Sequence, residues 1–212
     1  MKIYRDIEQG SEEWHLIRKG KVTASRLGQI ITPKTGKLSA SHEDLIDELL
    51  EEVFFPEMEQ PRETFWQRWG KDHEAEARDA LAEIIGVEIQ EVGFVTADIE
   101  ACGCSPDGLI YIDGELVAGA EIKCPRPKTH RRYVRECVLP DEYKAQVHGS
   151  MIFCEVEHWH FSSYVPGWQP FNLLINRDDF TRRLEDVLGE FLPKYRAAYS
   201  AIMKTETKQS RN

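Results

Sequence analysis

No apolar run in this 212-residue chain approaches the about 20 residues that a membrane-crossing helix requires. The N-terminal Met-Lys-Ile-Tyr-Arg-Asp-Ile-Glu lacks the apolar stretch of a signal peptide, so a cytoplasmic protein is expected. There is no internal repeat, low-complexity segment or nucleotide-binding glycine loop. Cysteine is sparse: Cys102, Cys104, Cys124, Cys137 and Cys154, an odd number without a C-x-x-C pair. That argues against a disulfide framework and a four-cysteine zinc or iron–sulfur site, and for reduced, mostly buried thiols. Positive charge is in deficit: 27 Lys and Arg face 37 Asp and Glu, a formal net charge of −10. Taken alone, this balance argues against nucleic acid. Binding needs only a local basic surface, however, so the distribution of charge decides.

What is present suits one large domain with a core of its own, since 41% of the residues are hydrophobic. Residues 1–10 read as a short strand or arm. Ser11 can cap a helix that opens with Glu12 and Glu13 and ends near Gly20, and a second short helix runs from Thr23 or Ser25 to Ile31. Arg18, Thr23, Ser25 and the N–H groups at that helix start are phosphate-binding types; ordinary capping beside a solvated arginine explains them equally well. Residues 32–40 read as a flexible loop. Ser41 opens a helix with Leu45, Leu49, Leu50 and Val53 on its apolar stripe, and Pro56 and Pro61 bracket a break.

A longer helix is expected from about Glu63 to Ile85, closed by Gly86. Gly70, Glu74, Ala77, Leu81 and Ile85 form one stripe, so Glu74 points towards the core, where an unpaired carboxylate is costly. It is a candidate metal ligand or hydrogen-bonded acid; pairing with His73 or an arginine is the plainer reading. Glu76, Asp79 and Glu83 fall on a solvated face. Strand patterns occupy 87–124, with Asp113-Gly114 as a hairpin turn. Glu121 and Lys123 share one face of the last strand, while Ala118, Ala120, Ile122 and Cys124 share the other, packed face. Residues 125–135 hold Arg126, Lys128, Arg131, Arg132 and Arg135 and no acid, making this the most basic stretch of the chain. Pro140 suits the first turn of a helix to about Phe153, with Gln146 and Ser150 on one face and His148 offset. His158 and His160 alternate on one side of the next strand; a polar strand face explains them better than a metal pair. Phe171 to Ile175 is a last strand. The final helix starts at Asp178 or Asp179, Pro193 should kink or break it, and 204–212 read as a disordered tail.

Asp107 sits in a Pro-Asp-Gly turn leading into a strand, and Glu121-Ile122-Lys123 ends the hairpin that follows. A hairpin can bring both acids to one divalent ion, and such ions supply an activated water and charge stabilisation for phosphodiester hydrolysis. Lys123 can position or deprotonate that water and offset phosphate charge. Glu74 can add a ligand or orient a metal-bound water. This is the PD-(D/E)xK nuclease pattern, for which a salt-bridged hairpin is the bland alternative.

Five ordered blocks extend the pattern: Trp14-His15…Arg18…Gly20…Thr23-Ala24-Ser25, Trp69-Gly70-Lys71…Glu74…Ala77-Arg78, Cys104-Ser105-Pro106-Asp107-Gly108-Leu109, Glu121-Ile122-Lys123-Cys124-Pro125, and Tyr143…Ala145-Gln146-Val147…Ser150-Met151. From about residue 8 to 195 the chain resembles the lambda exonuclease-like alkaline exonucleases, the YqaJ-type viral recombinases of the PD-(D/E)xK superfamily. The resemblance implies an α/β fold with a restriction-endonuclease-like core, its mixed central β-sheet flanked by helices. It implies a single nuclease domain over about 1–203, with a core near 63–175, an N-terminal helical part near 11–55 and a C-terminal helix near 178–203. The implied activity is Mg²⁺-dependent digestion of one strand of linear double-stranded DNA from the 5′ end, releasing mononucleotides. Two ions are expected, with Mn²⁺ as a substitute. By position, Asp107, Glu121 and the Ile122 carbonyl look like metal ligands, Glu74 like a further ligand or water-orienting acid, and Lys123 like the catalytic lysine. Arg18, Thr23, Ser25, Ser105 and Gln146 match a pocket for the 5′-phosphate or nearby backbone. Implied partners are DNA ends, a ring-shaped homotrimer and a single-strand annealing protein, in a phage or prophage setting in bacterial cytoplasm. The basic run is expected to contribute groove contacts. Rival readings are a PD-(D/E)xK endonuclease, a DNA-binding or assembly module with a vestigial site, and a small-molecule metallohydrolase.

Overall fold

The computed structural model describes residues 1–55, 64–99 and 101–209; Pro56, Pro61 and Glu63 lie outside them. In chain order the elements are β1 (Lys2–Tyr4), α1 (Glu12–Arg18), β2 (Val22–Thr23), a 3₁₀ segment (Ala24–Gln29), β3 (Ile31–Thr32), β4 (Lys37–Leu38), α2 (His42–Phe54) and α3 (Phe65–Ile85). Then follow β5 (Ile89–Gln90), β6 (Phe94–Thr96), β7 (Cys102–Cys104), β8 (Gly108–Ile112), β9 (Glu115–Lys123), α4 (Pro127–Glu136), α5 (Asp141–Cys154), β10 (His158–Ser163), β11 (Phe171–Asn176) and α6 (Asp179–Gln209).

Local chemistry sets the element ends. The Ser11 hydroxyl accepts from the Trp14 N–H at 3.2 Å and starts α1. At α3 a complete capping box closes: Gln67 N–H donates to the Thr64 hydroxyl at 3.3 Å, and Thr64 N–H donates to Gln67 Oε1 at 2.7 Å. Gly86, at φ +69°, ends that helix in the left-handed conformation that glycine adopts without strain.

The chemistry is organised by a five-stranded sheet ordered β11-β10-β9-β8-β5. It is mixed: β9 and β10 run parallel, and the other pairings are antiparallel. A second, four-stranded sheet, β1-β6-β7-β2, takes up the short glycine-punctuated segments. Helices cover both faces of β9. On one face, Ala77 and Leu81 of α3 pack with Ile110, Ala118, Ala120 and Ile122. On the other lies the main core, where α5 meets Trp159 and Phe161 of β10. Burying a leucine or phenylalanine side chain contributes about 1.5–3 kcal/mol, so two such layers hold β9 firmly. α5 also packs closely on the 3₁₀ segment: a Cβ at Gly149 would stand 2.1 Å from Leu27 Cδ1, so any larger residue would force the buried Leu27 side chain to move. α6 packs on α5 and α2. Among the described residues no helix is long and apolar enough to cross a membrane.

Four expectations change. The flexible loop at 32–40 carries a small hairpin, Ile31 opposite Leu38 and Thr32 opposite Lys37, turned at Gly36 with φ +64°. The basic run, left without an assigned element, is helix α4; buried His130 and Tyr133, spaced i and i+3, give it an anchoring face. Pro193 does not break α6. Buried Leu184, Leu188 and Phe191 before it, and Leu192 and Tyr195 around and after it, hold both sides against the core and offset the missing hydrogen bond. The expected tail also joins this helix as far as Gln209, because extending an existing helix fixes one residue per added bond.

Candidate active site

Asp107 lies in the turn between β7 and β8, fastened to β9 twice. Its N–H donates to the Ala120 carbonyl at 3.1 Å, and its Oδ2 accepts the Ile122 N–H at 2.6 Å. Gly108 pairs with Ala120 across the hairpin, which sets Asp107 beside Glu121. Glu121 is 1% exposed. Its Oε1 is ion-paired with Lys123 Nζ and accepts the Gln146 amide at 2.7 Å from α5. The sequence-predicted pair on one strand face thus meets a third side chain from a helix.

Glu74 reaches this group from α3. Its partner is Arg78, one turn on, at 2.9 Å. Arg78 also donates Nε to the Asp107 carbonyl at 2.8 Å and Nη1 to Glu91 at 2.8 Å. The plainer reading of Glu74 holds: it is paired with an arginine, and that arginine also ties it to the Asp107 turn.

The electrostatics follow from burial. Removal from water, then repulsion from Asp107, raises the Glu74 pKa to about 7. Glu121 is likewise pushed up to about 7 by burial, with Lys123 working against the rise and Asp107 adding to it. Asp107 is raised by burial, against the pull of Lys123 and the Ile122 N–H. Burial acts to lower Lys123, but Glu121 and Asp107 outweigh it and hold the ammonium charged. Three acids with costly charges and one fixed cation remain.

No three His, Cys, Asp or Glu side chains among the described residues gather into a metal-ligand cluster. The donor set still fits a hard divalent ion, which needs only one or two carboxylates and keeps its waters. Asp107 and Glu121 provide those carboxylates, and their raised pKa values mark charge that a cation would stabilise.

Two residues before Asp107, the Ser105 hydroxyl accepts from Arg18 Nη1 at 2.8 Å and from Trp14 Nε1 at 2.9 Å. The Arg18 guanidinium lies 3.9 Å from the centroid of the Trp14 ring, and burial lowers its pKa to about 10. Thr23 and Ser25 hydroxyls stand 3.2 Å apart, and Thr23 pairs with Gly103 on β7. Arg18 and Thr23 both line a cleft of about 810 Å³ together with Trp14, Lys21 and Arg26. Of the five phosphate candidates, the structure joins Arg18 to Ser105 and Thr23 to Ser25, and turns Gln146 towards Glu121.

The five cations of the basic run, Arg126, Lys128, Arg131, Arg132 and Arg135, are all exposed on and before α4. Arg126 lies 4.6 Å from the Trp66 ring, while Arg132 and Arg135 pair with Glu142 and Glu136. His130 anchors the helix, with Nδ1 2.9 Å from Ser163 Oγ and Nε2 3.1 Å from the Gln169 carbonyl. His148, whose role the sequence left open, packs against α6 with Nδ1 2.7 Å from Thr181 Oγ1. His158 and His160 pair with Asn176 and Asn172, as a polar strand face does. All five cysteines are free thiols; Cys102, Cys104 and Cys154 are buried.

Three neighbours of the site were not singled out from sequence as site residues: Trp14, Arg78 and Tyr143. The i, i+4 spacing of Glu74 and Arg78 was a usable signal. Trp14 and Tyr143 stand in the same sequence blocks as Arg18 and Gln146, but their contacts with Ser105 and Lys123 appear only in the tertiary packing.

The YqaJ-like viral recombinase domain matches residues 13–157, more than half of the chain. The chain belongs to that family. Its fold is also that of solved nucleases. The alkaline exonuclease LHK-Exo from Laribacter hongkongensis superposes on this YqaJ-like chain with a TM-score of 0.79 and 28% identity, over 94% of this chain and 100% of the other. LHK-Exo in complex with dAMP gives a TM-score of 0.78 at 28% identity, over 94% and 100% of the two chains. A phage related exonuclease from Haemophilus somnus 129PT shares the fold, with a TM-score of 0.65 at 15% identity over 86% and 96%. No curated protein sequence matches. Family and neighbours together support a nuclease function in recombination for this YqaJ-like chain.

Proposed function

We propose that the protein is a metal-dependent 5′→3′ exonuclease that digests one strand of linear duplex DNA and leaves the other for an annealing protein. The carrying observation is the Arg18–Ser105 hydrogen bond two residues from Asp107. It fixes a cationic anion pocket at a short offset from two carboxylates and a lysine, as expected of an enzyme that reads a terminal phosphate before cutting. The resemblance to an alkaline exonuclease, solved also with a nucleoside monophosphate, supports the same class of substrate.

Asp107 and Glu121, with the Ile122 carbonyl, are the proposed ligands for Mg²⁺, two ions being expected and Mn²⁺ an acceptable substitute. A bound divalent ion supplies an activated water and offsets charge on the phosphate and leaving oxygen. Lys123, held as an ammonium, donates hydrogen bonds and positive charge towards the scissile phosphate. Glu74, tied to Arg78, suits orienting a water better than direct ligation. Gln146 fixes the Glu121 carboxylate. Arg18, Ser105, Thr23 and Ser25 take the 5′-phosphate and adjoining backbone. The exposed cations of α4 follow the duplex, consistent with an acidic protein that needs only a local basic surface. A ring-shaped homotrimer, a single-strand annealing partner and a phage-related setting in bacterial cytoplasm complete the proposal.

The test is digestion of end-labelled linear duplex carrying 5′-phosphate or 5′-hydroxyl ends, with Mg²⁺, Mn²⁺ or EDTA, beside a covalently closed circle. Loss of the 5′ strand as mononucleotides, faster with the phosphate and silent in EDTA, is expected. Cleavage of the circle would establish an endonuclease instead. Metal-supported DNA binding without digestion would establish a binding module.

A further inference from the structure

Lysine carries its charge on a flexible four-carbon stem, and a partly exposed ammonium tends to swing towards water. Lys123 is in that position, with its side chain 28% exposed. Glu121 draws it back, but Glu121 also accepts from Gln146 and is a proposed metal ligand, so its charge is shared. A second restraint that no cation competes for would keep the lysine aimed.

α5 provides one. Tyr143 stands three residues before Gln146, so both project from the same face of the helix. Glu121 and Lys123, two apart on β9, project from the same face of the strand. The two pairs meet in register: Gln146 on Glu121, and Tyr143 under Lys123, whose Nζ lies 5.3 Å from the ring centroid. That is cation–π range. The ring is itself held. It packs on Phe161 at 5.3 Å between centroids, and Phe161, fully buried, is the β10 partner of Glu121. Tyr133, also packed on Phe161, hydrogen-bonds Glu142 at 3.0 Å beside it.

We infer that Tyr143 is a positioning residue for Lys123, its ring face holding the ammonium beside Glu121 and out of bulk water. This rests on the reading of Lys123 as the lysine of the nuclease site. The face of the ring carries the effect and the hydroxyl does not. A metal drawn to Glu121 leaves that face untouched, so the lysine stays aimed while its carboxylate partner is engaged.

Tyr143→Phe and Tyr143→Leu separate the two parts of the side chain. The first readout needs no activity: acylation of Lys123 by an amine-reactive ester, measured by peptide mass spectrometry in EDTA without DNA. Labelling rises about threefold or more in Tyr143→Leu and matches the parent in Tyr143→Phe. The second is digestion of linear duplex with Mg²⁺. Tyr143→Phe keeps kcat within about threefold, while Tyr143→Leu loses about tenfold or more in kcat with KM for DNA ends nearly unchanged. Tyr143→Met repeats both readouts if the leucine variant does not melt cooperatively. Unchanged Lys123 labelling in the leucine and methionine variants overturns the assignment, as does a phenylalanine variant as impaired as leucine. A parent protein that does not digest DNA overturns the nuclease reading instead, and the labelling result still decides the role of Tyr143.

Discussion

The Gln146 side chain donates to Glu121 Oε1 at 2.7 Å, so a residue expected at the DNA phosphate grips a carboxylate at the centre of the site. A hydrogen bond to a charged group contributes about 1.5–3 kcal/mol, and loss of such an outer partner of a metal ligand typically costs about 10–100-fold in metal affinity or activity. Gln146→Ala is therefore expected to raise the Mg²⁺ concentration for half-maximal digestion by that factor. A Mg²⁺ titration in which only KM for DNA changes would assign Gln146 to phosphate binding alone.

Stability in the absence of metal should fall as pH rises from about 4.5 to about 7. Glu74 and Glu121 have folded-state pKa values raised from 4.5 to about 7. Between those values the native state holds protons that the unfolded chain has already released, so these groups contribute less stability as pH rises. Lys123, raised above its ordinary 10.5, stays protonated throughout the window and adds no slope there. A divalent ion favours the deprotonated acids, so the Tm gain from Mg²⁺ should grow from about pH 5 to about pH 8. Melting curves with Mg²⁺ and with EDTA at each pH check this; a gain independent of pH would sink it.

Arg18→Ala removes the cation next to Ser105. The expected result is about 10–100-fold lower kcat/KM on 5′-phosphorylated duplex, equivalent to one charge-assisted hydrogen bond. Digestion of 5′-hydroxyl ends should fall much less, so the preference between the two ends narrows. Equal losses on both would place Arg18 in a structural role between the Trp14 ring and the Phe94 ring, whose centroids lie 3.9 and 5.9 Å from its guanidinium.

Charge removal on α4 addresses the groove. Lys128→Ala and Arg131→Ala should weaken DNA binding at physiological salt. Each should also reduce the salt slope of log K by about one for every phosphate left without its cation. Both lie on an exposed face while His130 and Tyr133 anchor the helix, so Tm should be unaffected. An unchanged slope in both variants would direct the duplex to another surface.

Much of the site was legible because its signals are local. The Pro-Asp-Gly turn, the Asp113-Gly114 hairpin and the period-two alternation placed Asp107, Glu121 and Lys123 together without reference to the rest of the chain. Helical periodicity likewise turned Glu74 inward and left Glu76, Asp79 and Glu83 in solvent. Reading the packed side of β9 was harder. Periodicity separates Glu121 and Lys123 from Ala118, Ala120 and Ile122, but it does not show that helices cover both sides. α3 covers one and α5 the other, so Glu121 is as buried as its apolar neighbours. The basic run concealed a helix because charge dominates its composition, while the two residues that dock it, His130 and Tyr133, pack against Ser163 and Phe161 of β10, distant in sequence.

The sequence by itself determined the chemical inventory and its local geometry: two acids and a lysine on a turn and strand, an acid on a helix face, and a run of cations. Those follow from the two- and 3.6-residue periods and from turn chemistry, which act over a few residues. Only the tertiary structure decided who meets whom. It set Gln146 on Glu121, Arg78 between Glu74 and Asp107, Arg18 on Ser105 and the Tyr143 ring under Lys123. These meetings depend on how α1, α3 and α5 pack against two sheets. Such packing is fixed by the fit of whole apolar surfaces, and no single stretch of sequence encodes it.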